Sequence, residues 1–106
     1  MNTMELYEDA IFAIDARIMR FKEQADNGSS FAEHQLWVWS TVLKGIDERN
    51  LRRGDIIVIH ERCKDEIKGL LSDVRMSDER RERDLAEAEA IRKYFKKLLH
   101  RSLNRN

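Results

Sequence analysis

Apolar residues recur at intervals of three and four along most of this chain, and no proline interrupts them. In an α-helix this spacing gathers apolar side chains on one face, because a turn takes about 3.6 residues. The first segment keeps the pattern over residues 3–25, at Met4, Tyr7, Ile11, Ile14, Ile18, Phe21 and Ala25. A strand would alternate at every second residue. The spacing therefore predicts an all-α fold.

The most apolar stretch, residues 31–46, predicts the helix with the most extensive core face. Read as a helix, it places its apolar residues on one arc of roughly 160°. The predicted core residues are Phe31, Ala32, Leu36, Val38, Trp39, Val42, Leu43 and Ile46. Trp37 falls on the opposite side of the helix, among polar residues. Because tryptophan is enriched at the energetic centres of protein interfaces, we predict that Trp37 is an exposed contact residue.

Turn and capping residues divide the chain into four predicted helices, over residues 3–25, 30–50, 55–75 and 77–102. Thr3, Ser30, Asp55 and Ser77 are the predicted caps. Residues 56–59 are all β-branched and would favour a strand by local propensity. The third segment nevertheless keeps helical spacing through Ile56, Ile59, Cys63, Ile67, Leu70 and Val74. We therefore predict a helix there.

The length of 106 residues predicts a single helical domain over residues 1–106. Charged residues make up 38% of the chain, against about 25% in typical domains, which indicates densely charged outer faces. Four amphipathic helices joined by short turns favour an antiparallel four-helix bundle. The alternative is a dimer in which two chains share one core.

Cysteine content and the distribution of apolar residues predict a cytoplasmic location. Cys63 is the only cysteine, so the chain has no internal disulfide, as is typical of a reducing compartment. The first residues lack the apolar run of a signal peptide. No apolar run approaches the roughly 20 residues that a membrane helix needs.

Phe12 and Met19 form a second apolar stripe on the first helix, seven residues apart and surrounded by acidic residues. This stripe faces away from the main apolar face. Two interpretations remain open at this point: a flank covered by another helix of the same chain, or an intermolecular contact.

The last helix combines an apolar face with a basic one. Its apolar face comprises Leu85, Ala88, Ile91, Phe95, Leu98 and Leu99, with Tyr94 at the edge. The basic face comprises Lys93, Lys96, Lys97, His100 and Arg101. Residues 90–106 carry six Lys/Arg and no Asp/Glu. Such a face can bind an acidic protein or nucleic acid, or it can be solvated and complement the helix dipole.

Arg53 and His60 are separated by six residues at the start of the third helix. This pair resembles the arginine and histidine of HEPN-domain ribonucleases, which are helical bundles with a composite dimeric RNA-cutting site. The resemblance implies that His60 moves a proton and Arg53 holds a phosphate. Gly54 replaces the polar residue that usually follows the family's arginine. His60 lies at the edge of the apolar arc of the third helix, and this position favours a packed, structural histidine.

No spacing in the sequence predicts a metal or cofactor site. His60 and Cys63 supply two ligands one turn apart, whereas a tetrahedral site needs three or four. Nucleophile, phosphate-loop and metalloprotease motifs are absent from the sequence.

We therefore predict a non-enzymatic cytoplasmic protein that binds another macromolecule as an adaptor, chaperone, inhibitor or regulator. The predicted contacts are Trp37, Phe12 and Met19, with Lys93, Lys96, Lys97 and Arg101 supplying charge complementarity. The expected partner is a protein, and an acidic protein would complement the basic face of the last helix. We also expect the chain to form a homo-oligomer. Nucleic-acid binding through the last helix is the alternative, and a HEPN-like ribonuclease is a further one.

Overall fold

The chain folds into α-helices joined by short turns. The computed structural model describes the backbone of residues 2–103 and the side chains of residues 2–101. Its helices are α1, Thr3–Asp26; α2, Ser30–Asp47; α3, Arg53–Ser72; and α4, Asp78–Leu103. The prediction of an all-α fold is confirmed, and the number and order of helices are those of the predicted four-helix bundle. Among the described residues, no helix is long and apolar enough to cross a membrane.

Two compact units make up the chain, Met1–Ala13 with Arg52–Asn106, and Ile14–Leu51. In the first unit α3 packs along α4. Cys63, Ile91 and Phe95 are fully buried there. Tyr94 is also buried, rather than lying at the edge of the apolar face, because its ring contacts Tyr7 at 5.8 Å and Phe95 at 5.7 Å between centroids. The single domain stays a prediction.

Trp39 is the largest fully buried side chain of the second unit, with 1% of its surface exposed. The Arg17 guanidinium carbon lies 4.8 Å from the centre of its ring, in cation–π geometry. Phe31 was predicted in the core, but this prediction is wrong because Phe31 is largely exposed. Its ring contacts that of Phe21 in edge geometry, with centroids 6.3 Å apart.

Two further core predictions fail at helix ends. Met4 lies in the first turn of α1 and is exposed. Val74 is almost wholly exposed because α3 ends at Ser72 rather than at residue 75, so the helical spacing no longer places Val74 on a helix face. The α2 helix likewise ends at Asp47 rather than at residue 50.

Helices α1 and α2 end in the same hydrogen-bond motif. After α1, Gly28 donates to Ala25 and Ser29 donates to Gln24, with Gly28 at a φ of 95°. This is a Schellman motif, in which a left-handed residue closes the helix. After α2, Arg49 occupies the corresponding position at a φ of 55° and donates to Ile46, while Asn50 donates to Gly45. A non-glycine residue in this conformation is unusual, which explains why α2 was predicted to run further.

The caps of the first three helices differ by one to three positions from those predicted. Asn2, rather than Thr3, accepts from the Glu5 N–H at 2.9 Å. The α2 helix is capped by Ser29, rather than Ser30, which accepts from Ala32 at 3.1 Å.

At the start of α3, Arg52 holds the capping position and Asp55 accepts from its N–H at 3.1 Å. This bond fixes a start at Arg53 rather than at residue 55. The predicted Ser77 cap of α4 is confirmed by the 3.3 Å bond from Arg80 N–H to the Ser77 hydroxyl.

Arg81 holds the turn between α3 and α4 in place. Its Nε donates to the Leu70 carbonyl at 2.9 Å, and its Nη2 donates to the Asp73 carbonyl. Its Nη1 bonds the Asp78 carboxylate at 3.1 Å. One guanidinium thus satisfies carbonyls at the end of α3 that have no partner within the helix.

Replacing Arg81 with lysine is predicted to lower the free energy of unfolding by about 1–3 kcal/mol. A single ammonium cannot reproduce three bonds made by a planar fork. Urea unfolding followed by circular dichroism measures this change.

Arg80→Lys provides the matched control on the next residue. The Arg80 side chain is exposed and, among the described residues, makes a 3.7 Å ion pair with Asp84, so we expect a change within about 0.5 kcal/mol. Equal destabilisation by the two variants would contradict the role given to Arg81.

Candidate partner-binding surfaces

Trp37 stands on the outer face of α2 and is 65% exposed. Its spacing from Trp39 and Val42 places it opposite the buried stripe of the helix. Its ring stacks on that of His34, one turn earlier, with centroids 6.2 Å apart and planes 27° apart. The predicted exposure of Trp37 is confirmed. The paired rings form an exposed aromatic surface, which we call the Trp37–His34 platform.

The residues around this platform are short or polar. Glu33, Ser40, Thr41 and Lys44 occupy the same side of α2 and are all exposed. The platform is therefore an apolar feature within a polar rim, an arrangement typical of interface hot spots.

Phe12 and Met19 are also exposed, by 79% and 74% of their surfaces. The interpretation of a covered flank is therefore wrong. Their spacing of seven residues is two helical turns, so both lie on the same side of α1. Acidic residues flank them on this side, at Glu5, Glu8, Asp15 and Glu23, all of them exposed. Whether the stripe binds a partner stays a prediction.

The basic face of α4 is solvent-exposed over its last turns. Lys93, Lys96, Lys97 and His100 are three or four residues apart and exposed, and we call these four residues the α4 basic face. Arg101 differs from them, because its Nη2 donates to the Thr3 hydroxyl at 3.2 Å. This bond gives Arg101 a structural contact within the first unit in addition to its predicted partner-binding role.

His60 lies on α3 with 13% of its side chain exposed. Its Nε2 is buried and has no hydrogen-bond partner among the described residues, while its Nδ1 lies 3.8 Å from the Glu61 carboxylate. Burial lowers the pKa of His60 below its ordinary value of 6.5; Glu61 opposes the shift, and Lys64 and Arg92 add to it. The lowered pKa favours the neutral imidazole.

Arg53, the proposed phosphate-holding residue, is the first residue of α3 and is exposed. It thus differs sharply from His60 in access to solvent. A neutral imidazole can take up a proton during catalysis. In His60, however, Nε2 is buried, away from a substrate in solvent. The HEPN-like ribonuclease stays a prediction.

No metal site is found in the part of the chain that the structure describes, where no three His, Cys, Asp or Glu side chains come together as ligands. Cys63 is fully buried, so its thiol packs in the core with no access to an ion in solvent.

Among the described residues, three buried polar side chains were not predicted: Arg17, Gln35 and Glu87. Arg17 is only 3% exposed. A signal for it did exist, since Ile14, Arg17 and Phe21 are spaced by three and four. Gln35 similarly lies four residues before Trp39. These residues belong to the buried stripes of their helices.

The lowered pKa of His60 predicts a specific dependence of stability on pH. The unfolded chain binds a proton at His60 near pH 6.5, while the folded chain binds it only at lower pH. Stability contributed by neutral His60 is therefore complete above pH 6.5 and is lost as pH falls from there through the folded pKa.

Urea unfolding at several pH values between 7 and 5 measures this loss, and His60→Gln should reduce it. His34→Gln controls for replacement of a histidine elsewhere in the chain. If the free energy of unfolding of His60→Gln depends on pH as strongly as that of the parent, the lowered pKa of His60 is contradicted.

Comparisons with known proteins add no family relationship. No protein-family model matches the chain, and no significant match is found among curated proteins or solved structures.

Proposed function

We propose that this chain is a non-catalytic protein that binds another protein through the Trp37–His34 platform on α2. The observation that supports the proposal is a tryptophan 65% exposed in the middle of a polar helix face. Exposing a large ring to water is unfavourable by about 25 cal/mol per Å² of apolar surface. A partner that covers the ring recovers this free energy.

The geometry of the platform suits a protein partner. Trp37 has two side-chain torsions and is restrained by the stacked His34 ring, so little conformational entropy is lost when a partner covers it. The hydroxyls of Ser40 and Thr41 and the charges of Glu33 and Lys44 can supply rim hydrogen bonds and ion pairs.

Phe12 and Met19 on α1 are secondary apolar contacts in this proposal, with Lys93, Lys96, Lys97 and Arg101 on α4 as the charged ones. Regulator, inhibitor, adaptor and chaperone all remain open as roles, and the proposed location is cytoplasmic.

Nucleic-acid binding through the α4 basic face is the second candidate. Its supporting observation is four exposed basic or titratable side chains on one helix face, in a segment where residues 90–106 hold no carboxylate side chain. Phosphate contacts would make such binding fall steeply with salt. The zero net charge of the chain favours a protein partner, since long-range attraction to a polyanion is weak.

Replacing Trp37 with alanine is predicted to weaken partner binding by about 2 kcal/mol or more. The fold should persist, because most of the ring is already in water. The immobilised chain retrieves partners from a cell extract, and titration calorimetry then measures the affinity of the purified partner for each variant.

Thr41→Ala is the matched control on the same face of α2. It should change affinity far less than Trp37→Ala, because a rim hydrogen bond contributes little compared with the anchoring ring. Equal affinity of the parent and Trp37→Ala would refute the platform as the anchor. Labelled single-stranded RNA and duplex DNA, titrated at two salt concentrations, test the second candidate. Tight, salt-dependent binding there, with no protein retrieved, would replace the first proposal by the second.

A further inference from the structure

Two helices of the unit Met1–Ala13 with Arg52–Asn106 carry opposite charges on their outer faces. The first turns of α1 expose Glu5, Glu8 and Asp9, which we call the α1 acidic face. These three carboxylates and Phe12 are three or four residues apart, so Phe12 lies on the same side of the helix. The last turns of α4 expose the α4 basic face.

These two faces belong to neighbouring antiparallel helices. Near the start of α1, Thr3 accepts a hydrogen bond from Arg101 at the end of α4. One turn further along α1, the ring of Tyr7 lies 5.8 Å from that of Tyr94, two turns back along α4. Within this unit, residues 3–13 of α1 therefore run antiparallel to α4, and the acidic and basic faces lie at the same end of the unit.

Two copies of this helix pair are complementary to each other in charge. Contact between the α1 faces of two copies would place carboxylates against carboxylates, and contact between the α4 faces would place lysines against lysines. Both arrangements are repulsive. When α1 of one copy meets α4 of the other, opposite charges meet, and a two-fold axis forms this contact twice. The zero net charge of the chain gives two copies no long-range repulsion.

Phe12 supplies the apolar part of this contact. Exposed ion pairs contribute little by themselves because water and salt screen them. Phe12, 79% exposed, can pack against the aliphatic stems of the α4 lysines while their ammonium groups reach the carboxylates. The ring also gains from nearby cations through its π face.

We propose that a second copy of this chain binds here, with the α1 acidic face and Phe12 of each copy against the α4 basic face of the other. This assigns Phe12 and the α4 lysines, which are secondary partner contacts in the proposed function, to self-association instead. It leaves the Trp37–His34 platform to the macromolecular partner. The dimer forms or fails independently of that partner, so the two proposals are tested separately.

Charge reversal on each face tests this arrangement. The first variant carries Glu8→Lys with Asp9→Lys, and the second carries Lys93→Glu with Lys97→Glu. Light scattering on a sizing column, over a wide concentration range at low salt, gives the mass of each. The parent chain is expected as a dimer, and each variant alone as a monomer, with at least a tenfold weaker association.

The equimolar mixture of the two variants is the decisive sample. One variant then has two basic faces and the other two acidic faces, so both contacts of the dimer regain opposite charges. We expect the mixture to recover a dimer containing one chain of each kind, and this dimer should weaken at high salt. Phe12→Ser should weaken the parent dimer, whereas Trp37→Ala should leave it unchanged.

Circular dichroism establishes that each variant keeps its helices, so that a loss of mass reports association. A monomeric parent at every concentration would overturn the proposal. So would a dimer that survives both charge reversals, or a mixture that stays monomeric. A monomeric parent that binds RNA through Lys93 and Lys97 would assign the α4 basic face to nucleic acid instead.

Discussion

Burial of one narrow stripe of side chains along each helix is the constraint on which this structure depends. Trp39, Phe95, Ile14 and Ile91 are fully buried, and each belongs to a series spaced by three and four. With charged residues at 38% of the chain, the remaining helix faces are largely charged or polar. Against that background a large apolar side chain on an outer face is conspicuous. Trp37, Phe12 and Met19 are examples within helices, as are Val58 and Leu71 on α3. The first three carry the functional argument.

Helix type and register were predictable from the sequence, because periodicity reports which residues share a face. Trp37 and Trp39 are two residues apart, and helical geometry alone places them on opposite sides. The periodicity does not show where along a helix its apolar face ceases to be covered by other helices. Met4, Phe31 and Val74 continue the apolar spacing, yet they lie at or beyond helix ends and are exposed. Prediction fails there because burial depends on how far neighbouring elements extend.

Buried polar groups were the other feature that the sequence concealed. Arg17 falls on the buried face of α1, although charged residues are usually exposed. Its guanidinium lies over the ring of Trp39, a contact that the sequence of α1 alone does not predict. His60 shows the reverse case. Its position suggested both chemistry and packing, and the buried Nε2 with the lowered pKa agrees with the predicted packing. The candidate contacts could be predicted because they are apolar side chains on polar helix faces. The identity of the partner could not be predicted, because it depends on the surface of another molecule.

The measurement that tests the central claim most directly compares the two tryptophans in single-tryptophan variants. Trp39→Phe leaves only Trp37, and Trp37→Phe leaves only Trp39, so fluorescence quenching by acrylamide reports each ring separately. With Trp37 at 65% exposure and Trp39 at 1%, we predict strong quenching and red-shifted emission from Trp37, and protection of Trp39. Equal quenching in variants that keep their helicity would contradict an exposed Trp37 on a folded α2, and with it the proposed binding platform.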